Sequence, residues 1–305
     1  MKRTHTAQSV PAKLPIAVSH PDKIFWPEES YTKLDLIEYY DAIFPRLSPY
    51  VKDHMLSLER CPDGIHGECF YQKQKPKDMP PGTPSKRIAN ATGGGKFTDY
   101  VVGGSLTTQL ALANLGCIAV HVMASRASAP RQPDWMCIDI DPESGKFADA
   151  ARAGLHVKAA LEHLKLVSFP KTSGGRGMHV FVPIHTGPDA DEVLAFAESF
   201  VARVAAAYPD ELTVEHSVAA RGSRVYLDPF RNGFGQTVAA PYSVRRREKA
   251  PISTPLEWPE VKPTLIPSDF NMGNFAKRLR CADPWNDFFK NRQSLREASR
   301  LLGKL

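Results

Sequence analysis

Apolar side chains recur along this chain at two spacings, one helical and one of two residues, and the two alternate in blocks. Leu34, Ile37, Tyr40 and Phe44 follow the helical spacing. A start signal precedes them, since Thr32 stands three residues before Asp35 in the pattern of a capping box. A second helix over about 105–115 is predicted to stop at Gly116, the residue type preferred at a helix C-terminus. Residues 117–122 alternate as a strand, with Ile118, Val120 and Val122 on one face and His121 on the other. A further strand covers 134–141 and ends at Pro142, and helical spacing then occupies about 147–165. Residues 178–184 alternate again, 190–207 read as an Ala-rich helix, and 223–228 form a strand with Val225 and Leu227 on its apolar face. Strands interleaved with helices predict an α/β (α+β) architecture, a sheet layered with helices.

Between these blocks the chain is punctuated. Residues 1–14 are polar, carry Pro11 and lack periodicity, which predicts a flexible arm ahead of one catalytic domain over 15–305. Residues 74–104 hold a run of prolines and then Gly93, Gly94 and Gly95, and are predicted to be a mobile surface loop. The glycine triplet lacks the GxxxxGK[ST] order of a phosphate loop. Residues from about 265 to 305 are read as a C-terminal helical extension, in which Pro284 opens a helix and Trp285, Phe288 and Phe289 serve as packing anchors.

Composition narrows the class. With 42% hydrophobic and 24% charged residues, the chain can build a sizeable core, which excludes collagen-like, disordered and coiled-coil readings. The most apolar stretch, 110–124, is interrupted by Asn114 and His121, so no transmembrane helix and a cytoplasmic location are expected. Lys plus Arg exceed Asp plus Glu by 39 − 33 = +6, an excess that suits a polyanionic partner without requiring one. The run Arg245, Arg246, Arg247, Glu248, Lys249 reads as a solvated basic edge, with a DNA-backbone contact as the alternative. Five cysteines without a CxxC pair argue against a zinc site or a disulfide framework and for reduced thiols.

Three segments carry candidate chemistry. In Trp135 to Pro142 the strand period projects Asp139 and Asp141 from one face and Met136, Ile138 and Ile140 from the other. Two neighbouring carboxylates repel unless a cation sits between them, and hard divalent cations favour such oxygens. A bare DxD pair is equally a solvated strand end. In Lys171 to His179, three glycines let backbone N–H groups approach a ligand while Ser173 and Arg176 offer a hydroxyl and a cation. This suits a triphosphate, although a glycine-rich turn between strands looks the same. Asp228 ends a strand near Arg221 and Arg231 and is a third candidate carboxylate. Together, acids, a phosphate-binding turn and arginines are what nucleotidyl transfer requires.

From about His20 to Leu295 the sequence resembles the polymerase domain of bacterial ligase D, in the archaeo-eukaryotic primase superfamily. The resemblance rests on His20-Pro21-Asp22-Lys23-Ile24-Phe25-Trp26-Pro27 with Thr32-Lys33, on Glu59 to Gly64 and Phe70-Tyr71-Gln72-Lys73, and on His121. It extends through the Asp139/Asp141 pair, Ser173/Arg176/His179, Arg221, Asp228, Arg231-Asn232 and Pro241 to Arg245. It implies a two-module primase-polymerase fold with an RRM-like catalytic sheet flanked by helices. It also implies Lys23 and Lys33 as ligands of a 5′-phosphate, and Phe70 and Tyr71 as a platform for template bases. Lys73, Ser173, Arg176, His179, Arg221 and Arg231 would bind nucleotide. Asp139, Asp141 and Asp228 would hold two divalent cations, Mn²⁺ or Mg²⁺, beside a catalytic His121.

The activity implied is template-directed addition of nucleotides, ribonucleotides preferred, at gapped or broken DNA bearing a 5′-phosphate. Ku and a DNA ligase would be partners in a nucleoid-associated repair of double-strand breaks, or the task would be gap filling. A non-catalytic scaffold that bridges DNA ends, and a stand-alone primase, are the alternatives. No KxDG ligase nucleophile occurs in the sequence, so end joining by this chain itself is not expected.

Overall fold

The computed structural model describes residues 14–89 and 96–303. A short ribbon of β1 (Ile24–Trp26) and β2 (Tyr31–Thr32) leads into α1 (Lys33–Val51). The capping box forms as the sequence predicts: the Thr32 hydroxyl accepts from the Asp35 N–H at 3.2 Å, and the Asp35 carboxylate accepts from the Thr32 N–H at 2.6 Å. The buried stripe of α1 is Leu36, Ile37, Tyr40, Ile43 and Leu47, which puts Leu34 and Phe44 on its margins. Then follow β3 (His54–Arg60), β4 (Phe70–Gln72), β5 (Ser85–Ala89), β6 (Phe97–Val102), α2 (Leu106–Asn114), β7 (Cys117–Arg126), β8 (Trp135–Pro142), α3 (Phe147–His163), β9 (Phe169–Thr172), β10 (Met178–Pro183), α4 (Ala190–Ala207), β11 (Leu212–Thr213), α5 (Val218–Arg221), β12 (Val225–Asp228), β13 (Val238–Ala239), α6 (Ala276–Leu279) and α7 (Leu295–Leu302).

Two sheets organise these elements. One has the strand order β11-β12-β8-β10-β9; the other runs β13-β7-β3-β6-β5, with β4 paired to the end of β3. In the first sheet β8-α3-β9-β10-α4-β12 forms a βαββαβ unit, with β10 inserted antiparallel between β8 and β9 and β12 antiparallel to the far side of β8. That is the split βαβ topology of RRM-like sheets. Strand alternation gives its faces opposite fates. Met136, Ile138, Ile140, Met178, Val180, Val182, Val225 and Leu227 share one core with α3 and α4 residues such as Val157, Leu161 and Phe200. Trp135, Cys137 and Phe181 turn the other way and join a second core with Leu58, Val120 and Val122 of the six-stranded sheet and with Trp285 and Phe288.

Three expectations need correction. Much of 74–104 is ordered structure: β5 and β6 pair antiparallel from Ser85↔Val101 to Ala89↔Phe97, clasped by Arg87 on Asp99 at 2.9 Å twice. The β5 strand of this hairpin is exposed or half-buried and the buried part of β6, Tyr100 to Val102, is a continuous run, so there is no apolar alternation to read. The Gly93–Gly95 triplet lies outside the described residues, as does nearly all of the arm at 1–14. Cys61 and Cys69 are joined in a disulfide. Two successive turns, Gly64 N–H to Cys61 O at 3.1 Å and Gly67 N–H to Gly64 O at 3.1 Å, fold the loop back, a geometry that residue spacing does not reveal. Among the described residues of the C-terminal segment, helix is limited to α6, α7 and short 3₁₀ turns, and Pro284 sits in a turn rather than opening a helix. Trp285 does anchor: it is buried, stacks on Phe288 at 5.1 Å and donates to Pro170 O at 3.1 Å.

Candidate functional site

The second face of the RRM-like sheet continues past Phe181 as a row of polar residues. Register pairs Lys171 with His179, His179 with Asp139, and Asp139 with Asp228, so four neighbouring strands contribute one side chain each. Asp141 lies two residues further along the same face of β8, opposite Tyr226. Between this row, the 173–177 turn and the edge of the six-stranded sheet opens a cleft of about 360 Å³. Asp139, Asp141, Ser173, Arg176, His179 and Arg231 line one side, with His121, Tyr71, Thr237, Arg245 and Arg247 around them.

Local sequence explains the turn. Gly177 passes so close to β8 that a Cβ there would stand 2.3 Å from the Ile140 carbonyl oxygen. Gly174 adopts φ +73°, where a side chain is strained. Arg245 packs on that turn and donates to Ser173 O at 3.1 Å, and Arg247 crosses Gly175. The basic run is therefore not a wholly solvated edge, since two of its arginines face the cleft. A third, Arg246, reaches the buried Glu59 at 3.1 Å.

The three carboxylates differ. Burial alone would raise Asp139, but His179 at 3.2 Å and Arg231 at 3.2 Å hold it well below the ordinary carboxylate range. Asp141 is raised by burial and by the charges of Asp139 and Glu143. Asp228 is raised by burial and by Asp139. Burial and Lys171 lower His179 to about 4, and burial lowers His121 to about 4, so both rings are neutral near pH 7. Burial also lowers Lys171 to about 7.

The donor set is chemically suited to hard divalent cations, since it offers carboxylate oxygens on one face. Their arrangement is looser than the sequence reading of a three-carboxylate cluster. Among the described residues no group of three His, Cys, Asp or Glu side chains is gathered tightly enough to enclose an ion. The Arg231 guanidinium occupies the space between Asp139 and Asp228, 3.4 Å from the latter.

Other expected residues sit elsewhere. Arg221 is not free to meet a nucleotide: it is buried, pairs with Glu143 at 2.5 Å, donates to the Glu215 and His216 carbonyls and stacks on Tyr226. Lys73 is exposed outside the cleft lining, 3.5 Å from Gly235 O. Tyr71 meets His121 edge to face at 5.4 Å, whereas Phe70 lies outside, with the Arg60 guanidinium over its ring. Lys23 and Lys33 form a separate basic point at β1 and the start of α1. Lys23 pairs with Asp63. Lys33 is buried on Ser19 and Asn114, and burial and Lys23 lower its pKa. Sequence reasoning missed Lys171, Arg245 and Arg247; the basic run was the available signal for the last two.

Comparison with known proteins decides the family. The model of the LigD primase-polymerase domain matches residues 32–285. The chain belongs to that family. It is 29% identical over 277 residues to the bifunctional non-homologous end joining protein LigD of Bacillus subtilis, covering 89% of this chain and 44% of that protein. The multifunctional LigD of Pseudomonas aeruginosa is 29% identical over 292 residues, 93% of this chain and 34% of that protein. The LigD-type chain thus spans less than half the length of these relatives. The solved polymerase domain from Mycobacterium tuberculosis ligase D, in complex with DNA, superposes with a TM-score of 0.83 at 24% identity, over 92% of this chain and all of that one. The LigD primase-polymerase domain fold is therefore shared along nearly the whole molecule. Among the described residues no helix is long and apolar enough to cross a membrane.

Proposed function

We propose that the chain is a template-directed nucleotidyltransferase that extends DNA at gaps or breaks bearing a 5′-phosphate, in non-homologous end joining, with ribonucleotides preferred. The observation that carries this reading is the in-register row His179, Asp139, Asp228, whose first two members share one cleft with Asp141 and the turn of Ser173 and Arg176. Acids beside a cationic phosphate cradle suit nucleotidyl transfer from a triphosphate to a primer hydroxyl better than DNA bridging, which has no use for carboxylates near phosphate.

In this reading Ser173, Arg176 and His179 hold the triphosphate, and Arg245 and Arg247 add charge at the cleft wall. Asp139 and Asp141, with Asp228 behind, would hold divalent cations after Arg231 swings aside. Bound Mn²⁺ or Mg²⁺ would supply charge neutralisation and activation of a primer hydroxyl. Tyr71 offers a stacking face worth roughly 1–3 kcal/mol per base. Lys23, backed by the buried charge of Lys33, is the candidate 5′-phosphate contact. The whole-protein relatives are named for end joining, so Ku and a DNA ligase are the partners proposed for this chain.

The test is primer extension on a short-gapped duplex in Mn²⁺, with and without the downstream 5′-phosphate, using ribo- or deoxyribonucleotides. Template-directed, phosphate-stimulated addition is the expected result. Phosphate-dependent binding without any addition would replace this reading with that of an end-bridging scaffold.

A further inference from the structure

Lys171 lies beneath the cleft, not in it. Its side chain is fully buried on β9, and its Nζ has two partners: His179 Nδ1 at 2.8 Å and Ser253 Oγ at 2.5 Å. The Ser253 hydroxyl donates to Thr172 O at 2.9 Å, so it turns a lone pair toward Lys171. A lysine nitrogen has protons enough to donate to both partners, charged or neutral. The His179 nitrogen that accepts from Lys171 carries no proton, which leaves the proton of the neutral ring on Nε2. That nitrogen faces Asp139 Oδ1 at 3.2 Å at the cleft wall. The opposite tautomer would set a lone pair against a carboxylate, and against any phosphate oxygen arriving there.

We propose that Lys171 is a positioning residue that holds His179 in its Nε2–H form, so that the ring presents a hydrogen-bond donor to a nucleoside triphosphate. The nucleotide part of this inference rests on the function proposed above; the tautomer part stands on hydrogen bonding alone. It assigns Lys171 no contact with substrate. Its role is to decide, from the strand behind, which way round the imidazole works.

The experiment is ¹⁵N–¹H correlation spectroscopy of the histidine rings of the full chain at neutral pH, with His179 assigned by its loss in His179→Gln. The wild-type spectrum is expected to show the Nε2–H pattern. Lys171→Met keeps length and burial without a donor, and is expected to mix the two tautomers. Its affinity for ATP, titrated without DNA, is expected to fall ~10-fold, as for loss of one hydrogen bond to a charged group, with affinity for 5′-phosphorylated duplex unchanged. An Nδ1–H pattern in the wild type, or a Lys171→Met spectrum identical to it, overturns the proposal. If Lys171→Met does not fold, the wild-type spectrum decides alone. If the wild type binds no ATP while the variant still shifts the tautomer, the polymerase reading fails and the positioning role stands.

Discussion

The Nε of Arg231 stands 3.2 Å from Asp139 and 3.4 Å from Asp228, so one guanidinium serves two carboxylates on adjacent strands. Removing it leaves Asp139 and Asp228 to repel each other. Arg231→Ala is therefore expected to lower stability in a chelator by about 1 kcal/mol, a modest figure because the Arg231 side chain is 40% exposed. Added Mn²⁺ should then raise the melting temperature more in Arg231→Ala than in wild type, because an ion can take the vacated position. Equal increments in both proteins would show that the acids do not share an ion with that site.

Asp139→Ala should abolish primer extension and leave DNA binding largely intact. Asp139 lines the cleft, whereas Lys23 and Lys33 form a basic point of their own. Extension assays and gel shifts on the same preparation check the division. Parallel loss of both would mean that the acid row is also part of the DNA surface.

His121 links acidity to folding. Burial lowers its pKa to about 4, against the pull of Glu59 3.8 Å away, while an unfolded histidine titrates near ~6.5. Between those values the unfolded chain binds a proton that the folded ring refuses. Stability is thus fully present above about pH 6.5 and falls as the pH drops toward 4, by up to ~3 kcal/mol from this residue. His121→Gln should flatten that part of a urea-midpoint-against-pH curve. An unchanged slope would assign the acid lability to other groups.

Gly177→Ala should destabilise the protein by ~2–4 kcal/mol, since its Cβ would sit 2.3 Å from the Ile140 carbonyl and backbone must move to admit it. The displacement falls beside Asp141, so nucleotide affinity should fall with stability. Thermal melts and ATP titration read the two effects. Gly222→Ala makes the control, because nothing lies within 4 Å of a Cβ there although its φ is +61°. Any loss in Gly222→Ala should come from the backbone alone and leave ATP affinity intact.

Much of this was legible in the sequence where one face of an element is buried. The alternation in 134–141 placed Asp139 and Asp141 together because Met136, Ile138 and Ile140 had to face a core. The Thr32/Asp35 cap marked the first residue of α1 for the same local reason. What stayed hidden depends on contacts distant along the chain. In the β5–β6 hairpin, β5 is exposed or only half-buried and carries charges, and the buried residues of β6, Tyr100, Val101 and Val102, are consecutive, so no alternation betrays it. Arg221 looked free because nothing local announces Glu143 or the ring of Tyr226. Lys171 looked like one more base in a glycine-rich motif, and only register sets it against His179.

Register also has a consequence for how this site tolerates change. Side chains alternate on β8, so a slip of one position against β10 and β12 would exchange its two faces. Asp139 and Asp141 would be driven among Val157, Leu161 and Phe200, and Ile138 and Ile140 would surface in the cleft. A single-residue insertion or deletion within Trp135–Pro142 thus cannot merely detune the spacing of the acids, because the same error unseats the oil beneath them. Folding checks the frame in which the carboxylates are delivered, and a chain that has folded has already aligned them.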